Sequence, residues 1–341
     1  MAVVTDRRAT SDLRALSDVL EAADEDLLAG RSAGARVVPT GFRALDTYLG
    51  AGLRSGELIL LGGPQGLGKT TFALQILRNV VAAGGSAVYF SFEHDHATVL
   101  ERLLAMEAAA QLGSDALTLR RVRQAMEAVG GRPGTLADRL AEDPGGLEAI
   151  EAIASYGDRF SVHRSSGSLT SVETIRDTVA EVHARTGQPP LVIVDYLQKV
   201  FVPGGSVVEE ERVTRIVEDL KDLALDVDVA VLAVVAADRE GLVTGRRLRI
   251  HHLRGSASLA YEADVVLLMN DKYDVVARHH LVYDAGQAER FRDFVVISIE
   301  KNRSGLDRID VEFRKHFDQG CFDSDGSMVS EQLVDERVYA E

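Results

Sequence analysis

Gly63-Pro64-Gln65-Gly66-Leu67-Gly68-Lys69-Thr70 is a complete G-x-x-x-x-G-K-[ST] run, followed by Thr71. The residue types suit phosphate binding. Glycines let the backbone curl so that consecutive N–H groups converge on an anion, and a helix opening at the end of the run adds its dipole. Lys69 reaches the β- and γ-phosphates in such a loop, and the Thr70 hydroxyl is a ligand for Mg²⁺. The pattern carries weight only between a strand and a helix. Both are in register here, an apolar run at 58–61 and a helical pattern at 72–81. Phosphate chemistry also needs a carboxylate to place the metal and a base to orient water. Asp195 closes the apolar run 191–194, and Glu93 closes the run 88–92. An apolar strand ending in Asp is common turn chemistry and a strand-end Glu is commonly solvated, so each draws its value from the loop beside it.

The elements needed to position these groups can be read from periodicity. Short β-branched runs at 57–61, 87–92, 160–163, 191–194, 229–235, 265–269 and 294–300 alternate with helical patterns at 69–83, 98–111, 172–186 and 209–226. Strands separated by helices predict β-α-β units and an α/β fold, with a mostly parallel twisted sheet flanked by helices. The end of the chain reads differently. Val295, Ile297 and Ile299 alternate, Ser304-Gly305 offers a turn, and Ile309, Val311 and Phe313 alternate again, which predicts a β-hairpin. On residue type alone, Lys301 and Arg303 are two exposed basic residues on that hairpin. Near the start, Leu13, Leu16, Val19, Leu20 and Leu27 form an amphipathic helix pattern with Ser11 as N-cap, and a Gly-containing stretch at 29–35 follows as a linker. That apolar stripe needs a partner, either its own domain or a neighbouring subunit. The glycine- and proline-punctuated stretch 130–146 reads as an exposed excursion.

Composition supplies exclusions. With Lys+Arg 38 against Asp+Glu 53 in 341 residues, the net charge is −15. A molecule this acidic repels nucleic acid and anionic membranes on average. Local charge departs from that average: Arg246, Arg247, Arg249, His251 and His252 crowd one short stretch, the densest basic patch in the chain. No aromatic interleaves with it, so any nucleic-acid binding there is expected to be sequence-indifferent and salt-sensitive. The single cysteine, Cys321, forms no internal disulfide and has no metal-ligand spacing around it, which fits a cytoplasmic protein. No run approaches a membrane span.

Several further motifs occur in order: Thr40-Gly41-Phe42, Leu45-Asp46, Gly52-Leu53, Gly56-Glu57-Leu58, the P-loop, Ser91-Phe92-Glu93, Asp195-Tyr196-Leu197-Gln198, Leu253-Arg254-Gly255-Ser256, Glu262-Ala263-Asp264 and Lys301-Asn302-Arg303-Ser304-Gly305. Together they resemble the RecA-like C-terminal ATPase domain of the DnaB-type replicative helicases, from about residue 38 to 323. The resemblance implies a RecA-like P-loop NTPase that forms a homo-hexameric ring, with ATP and Mg²⁺ bound at subunit interfaces and single-stranded DNA in the channel. It implies nucleotide contacts from Gly63 through Thr71, metal contacts from Thr70 and Asp195, and Glu93 as catalytic glutamate. Arg102 matches a family arginine near the active site, and Lys301 and Arg303 match a lysine and an arginine finger that reach the neighbour's γ-phosphate. Arg254, Gly255 and Ala257 match the loop that grips DNA phosphates, with Arg246, Arg247 and Arg249 just upstream.

The expected organisation is an N-terminal arm at 1–36, a motor domain at 37–325 and a tail at 326–341. Three departures from the family stand out. The stretch preceding the motor is too short for the helical primase-contacting domain, which puts a primase contact in doubt. Ala236 occupies the position where these helicases place a phosphate-sensing Gln. The loop after Asp195 runs into acidic Glu209-Glu210-Glu211. These keep an alternative open: a ring ATPase of the RecA superfamily, resembling KaiC or RadA, with a regulatory or scaffolding role and no duplex unwinding.

Overall fold

A computed structural model of the chain describes residues 13–127, 134–206, 208–282 and 285–336. The chain divides into two units, Met1–Arg36 and Val37–Glu341. In the first, α1 (Leu16–Leu28) starts after Ala15, whose side chain makes no cap. The expected cap Ser11 lies outside the described residues. Leu13, Leu16, Leu20 and Leu27 are all exposed.

The second unit opens with β1 (Val37–Val38), α2 (Arg43–Tyr48), β2 (Leu53–Arg54), β3 (Leu58–Gly63), α3 (Lys69–Ala82), β4 (Ala87–Ser91) and α4 (His96–Leu112). It continues through α5 (Leu119–Met126), α6 (Leu136–Leu140), α7 (Gly146–Tyr156), β5 (Phe160–Arg164), α8 (Val172–Thr186), β6 (Leu191–Asp195), α9 (Glu209–Val227) and β7 (Val231–Ala236). The last elements are α10 (Ser258–Glu262), β8 (Val265–Asp271), α11 (Lys272–Val275), α12 (Arg278–Val282), α13 (Ala285–Phe291), β9 (Phe294–Asn302), β10 (Ile309–His316), β11 (Cys321–Phe322) and β12 (Ser327–Met328).

One sheet carries the fold, in the order β11-β10-β9-β8-β3-β7-β6-β4-β5, with β12 on β10. From β8 to β5 neighbouring strands are parallel. β9 turns antiparallel to β8, and β10 completes the hairpin with Ile309 opposite Ile299. Both faces of the central strands β3, β6 and β7 are covered, so these are apolar along most of their length, whereas the outer β5 is only half-buried and carries Ser161, His163 and Arg164. In β3, Ile59 and Leu61 join the cluster under α3 and α4, while Leu58 and Leu60 join the cluster under α8 and α9.

Boundaries follow local chemistry. α4 begins two residues earlier than its apolar pattern because the Asp95 carboxylate accepts from Thr98 N at 2.9 Å. The strand expected at 229–235 starts two residues later: Val227 closes α9, Asp228 turns left-handed at φ 52°, and β7 starts at Val231. The stretch 130–146 departs from the expected excursion. Residues 128–133 lie outside the described residues, but α6 forms within the remainder behind a Thr135–Asp138 capping box, and Leu140 is fully buried against α4 and α7. Punctuation by Gly and Pro marked short helices here, because a single apolar residue per turn suffices to seat them on α4.

Phe72 is the hub of the cluster on the α3 face, stacked on Phe42 at 4.1 Å between centroids and edge-on to Phe322 at 5.6 Å. Phe72→Ala should destabilise the protein by about 3–5 kcal/mol in denaturant titration, the usual range for emptying a buried aromatic site. A change below about 1 kcal/mol would mean that the site collapses without a cavity.

Candidate functional site

Pairing brings four strand ends to one edge of the sheet. Gly63 lies opposite Ala236, Val234 opposite Asp195, and Asp195 opposite Ser91. The carboxyl edge of a parallel sheet is where such folds bind ligands, because helix N-termini open there. The loop between β3 and α3 turns through left-handed glycines, Gly66 at φ 81° and Gly68 at φ 89°. At Gly68 a side chain would also collide with aromatic rings, since a Cβ would lie 2.8 Å from Phe322.

The first turn of α3 places three polar side chains. Lys69 Nζ donates to Gly63 O at 2.7 Å and Pro64 O at 2.8 Å, which holds the ammonium over the loop. Burial lowers its pKa, opposed by the charges of Asp195 and Glu93. Thr70 Oγ1 donates to Asp195 Oδ2 at 2.7 Å. The same oxygen accepts from the Tyr89 hydroxyl at 2.7 Å. Burial first, and then the Asp195 charge, push the Tyr89 phenol well above its ordinary pKa, so it stays a donor. Arg102 Nη1 lies 3.5 Å from Thr71 Oγ1. Glu93 is exposed two residues beyond β4.

Lys69, Thr70, Thr71, Glu93, Arg102 and Asp195 line a cleft of about 630 Å³ with Gln65, His94, Phe317 and Arg254 also in its wall. The size is that of a small-molecule site. Burial, reinforced by the Arg102 charge, lowers the His94 pKa. Among the described residues no group of three His, Cys, Asp or Glu could hold a metal by itself. A hydroxyl and a carboxylate held 2.7 Å apart are hard oxygen donors. They fit a divalent cation of the Mg²⁺ kind, which takes few protein ligands and completes its shell with phosphate and water.

Most of the remaining expected site residues lie away from the cleft, Arg254 in its wall being the exception among those described. Lys301 Nζ donates to Ala260 O at 2.8 Å and Tyr261 O at 3.1 Å, and Arg303 donates to Tyr261 O at 2.6 Å and Asp264 at 3.1 Å. The hairpin pair is therefore seated on the C-terminal end of α10 and does not line the cleft. Arg254 is half-exposed and paired with Glu209 at 3.0 Å. Gly255 and Ala257 follow it toward α10. The basic patch is dispersed into ion pairs: Arg246 with Glu336 at 3.2 Å, Arg249 with Glu300 at 2.6 Å and with Asp335, and Arg247, buried, with Asp310 and Ser298. Three residues escaped sequence reasoning. Tyr89 carried a faint signal, a hydroxyl inside an apolar strand, whereas His94 and Phe317 carried none.

Tyr89→Phe keeps the ring and removes one donor from a buried carboxylate. It should cost about 1.5–3 kcal/mol of stability in denaturant titration, the range for a hydrogen bond to a charged group. An unchanged midpoint would show that Asp195 finds another donor.

The profile of the family described as AAA domain matches residues 35–240. The chain is 29% identical over 284 residues to "Replicative DNA helicase DnaB" of Pasteurella multocida (strain Pm70), covering 82% of this chain and 54% of that protein. It is 26% identical over 326 residues to "Replicative DNA helicase DnaC" of Bacillus subtilis (strain 168), covering 93% of this chain and 63% of that protein. The chain thus spans somewhat more than half the length of these relatives. Among solved structures, one described as an ATPase domain superposes with a TM-score of 0.70 at 21% identity, covering 91% of this chain and 99% of that one. A DnaB-like replicative helicase described with its interactions with primase superposes with a TM-score of 0.66 at 20% identity, covering 91% of this chain and 67% of that one. At those identities the structures speak for the fold alone, and that fold is RecA-like. A nucleotide-type cleft on this sheet, the profile match over more than half the chain and the run of helicase relatives lead to one assignment: the chain belongs to the AAA domain family and is a DnaB-like ATPase domain.

Proposed function

We propose that the protein is an ATP-driven DNA motor of the DnaB kind, hydrolysing ATP with Mg²⁺ at the interfaces of a hexameric ring and binding single-stranded DNA in the channel. The observation that carries the reading is that Arg254, from the candidate strand-binding loop, lines the same cleft as Lys69, Thr70 and Asp195. Nucleotide and strand would be handled by two rims of one opening.

In this reading the loop N–H groups and Lys69 hold the phosphates, and half-exposed Phe317 beside Gly68 offers a ring face to the base. Thr70 and Asp195 hold Mg²⁺, which when bound would neutralise phosphate charge. Glu93 orients the attacking water, and Arg102 adds positive charge near Thr71. Lys301 and Arg303 supply cations to a neighbouring subunit's site, a role that couples hydrolysis to the subunit contact. The exposed leucine stripe of α1 supports docking on a neighbouring subunit. Strand contacts rest on Arg254 and on the amides of Gly255 and Ala257. Arg246 and Arg249 can join only by exchanging carboxylates for phosphates, and Arg247 serves the hairpin. Among the described residues no helix is long and apolar enough to cross a membrane. The cytoplasm is the proposed compartment, by likeness to the replicative helicases.

A second reading, a ring ATPase without unwinding, is favoured by Ala236, whose methyl group cannot hydrogen-bond a phosphate. Steady-state ATPase assays separate the two. The motor reading expects turnover that rises with oligo(dT) and vanishes in Lys69→Ala, whereas turnover indifferent to oligo(dT) selects the second.

Shared sites make a further expectation. Arg303→Ala and Glu93→Gln subunits should each be inactive alone and regain part of the activity when mixed, since some interfaces then combine an intact glutamate with an intact arginine. Absence of recovery in mixtures shown to co-assemble would count against a site shared between subunits.

A further inference from the structure

Ala236 poses a physical problem for the proposed motor. A side chain at that position would be expected to tell the strand-binding loop whether a γ-phosphate is present, and a methyl group cannot. The backbone around it is nevertheless tied to that loop on both sides. Arg254 N donates to Ala236 O at 2.9 Å. Gln198 Nε2 donates to Arg254 O at 2.9 Å, and Gln198 Oε1 accepts from Ala236 N at 3.3 Å. Three hydrogen bonds therefore close a ring through Gln198, Ala236 and Arg254.

Each corner of this ring belongs to a different part of the machinery. Gln198 sits in the 3-10 turn Leu197–Lys199, three residues beyond Asp195, whose carboxylate meets Thr70. Ala236 ends β7 directly beside Gly63 of the P-loop. Arg254 opens the loop that continues through Gly255 and Ala257 into α10. Gln198 is 8% exposed, so losing either bond leaves a buried polar group unpaired. Its two ends are not interchangeable, because Nε2 only donates and Oε1 only accepts. Any shift of the β6 end relative to β7 must therefore move the Arg254 carbonyl or break the ring.

We propose that Gln198 is the positioning residue that couples the nucleotide site to the Arg254 loop, so that nucleotide state sets single-strand affinity through a backbone clamp instead of a side chain at position 236. The proposal rests on the motor reading above, and it adds the element that transmits between the two rims. Gln198 touches neither phosphate nor DNA in this arrangement.

The test uses the full chain, a fluorescein-labelled oligo(dT) read by anisotropy, and a fluorescent ATP analogue for nucleotide affinity. The quantity of interest is the ratio of oligo(dT) affinities with a non-hydrolysable ATP analogue and with ADP. Coupling of ordinary size makes this ratio at least about 5-fold in the wild type. Gln198→Met removes both bonds at constant volume, and Gln198→Glu keeps the acceptor for Ala236 N but loses the donor to Arg254 O. Both variants should bring the ratio to within about twofold of unity. Their affinity for the fluorescent nucleotide should stay at the wild-type value. Arg254→Ala should behave oppositely, weakening oligo(dT) binding in both nucleotide states while retaining a ratio. Variants that keep the wild-type ratio would overturn the proposal and leave the motor reading standing. Joint loss of the ratio and of nucleotide affinity would reduce Gln198 to a structural support and overturn it as well. A wild type that binds oligo(dT) in neither state would overturn the motor reading and the proposal together. Should Gln198→Met fail to fold by circular dichroism, Gln198→Glu decides alone.

Discussion

A single carboxylate oxygen organises the centre of this protein. Asp195 is 2% exposed, and its Oδ2 accepts from both Thr70 and Tyr89 at 2.7 Å. A buried charge without donors is expensive, so the structure that supplies the donors is strongly selected over alternatives that do not. Thr70 brings the first turn of α3, Tyr89 brings β4, and Asp195 itself ends β6. Packing fixes each contributor independently. Phe72, two residues after Thr70, is locked among Phe42, Phe313 and Phe322. Tyr89 has its ring in the same apolar cluster while its hydroxyl reaches the carboxylate. The α3-face core thus aims the polar groups at the strand ends, and the site inherits the rigidity of that core.

The parts that could be read in the sequence are those whose cause is local. The P-loop announces itself because phosphate geometry demands glycines and a helix start within eight positions. Asp195 and Glu93 follow from strand ends, and the hairpin from alternation about a Ser-Gly turn. Long-range closure was not readable. Nothing in the run 87–92 says that Tyr89, unlike Phe90, faces a carboxylate more than a hundred positions away. The same holds for Gln198, whose partners lie on β7 and beyond it. The separate bounds of α5, α6 and α7 were not readable, because their apolar residues are spread over a satellite cluster instead of one continuous stripe.

The basic patch shows how far charge counting can mislead. Arg246, Arg247 and Arg249 were conspicuous in an acidic chain, yet their carboxylate partners come from β9, β10 and the segment reaching Glu336. In a protein of net charge −15, acidic groups outnumber cations, so most arginines find internal partners. The pairs differ in worth. Arg247 lies at 8% side-chain exposure against Asp310, where removing one partner would strand a buried charge, whereas the pairs of Arg246 with Glu240 and Glu336 are open to solvent and screened. Arg247 is thus part of the hairpin's foundation, and the exposed pairs are the ones a polyanion could displace.

The hairpin arginine raises a related point about where cations are stored. Arg303 and Lys301 rest on the last carbonyls of α10, groups left unpaired within the helix and carrying its negative dipole end. Asp264, just beyond the helix, adds a carboxylate to Arg303 while also accepting from Leu58 N and Lys221. Because Asp264 is buried and satisfied by three elements, it is a fixed post, and the hairpin cations are referenced to the root of β3. The other end of α10 is the Arg254–Ala257 loop. A helix of five residues has no slack to absorb displacement, so a shift of that loop is felt at the carbonyls that hold Lys301 and Arg303. The loop proposed to bind the strand and the cations proposed to reach a neighbour therefore sit at the two ends of one five-residue helix.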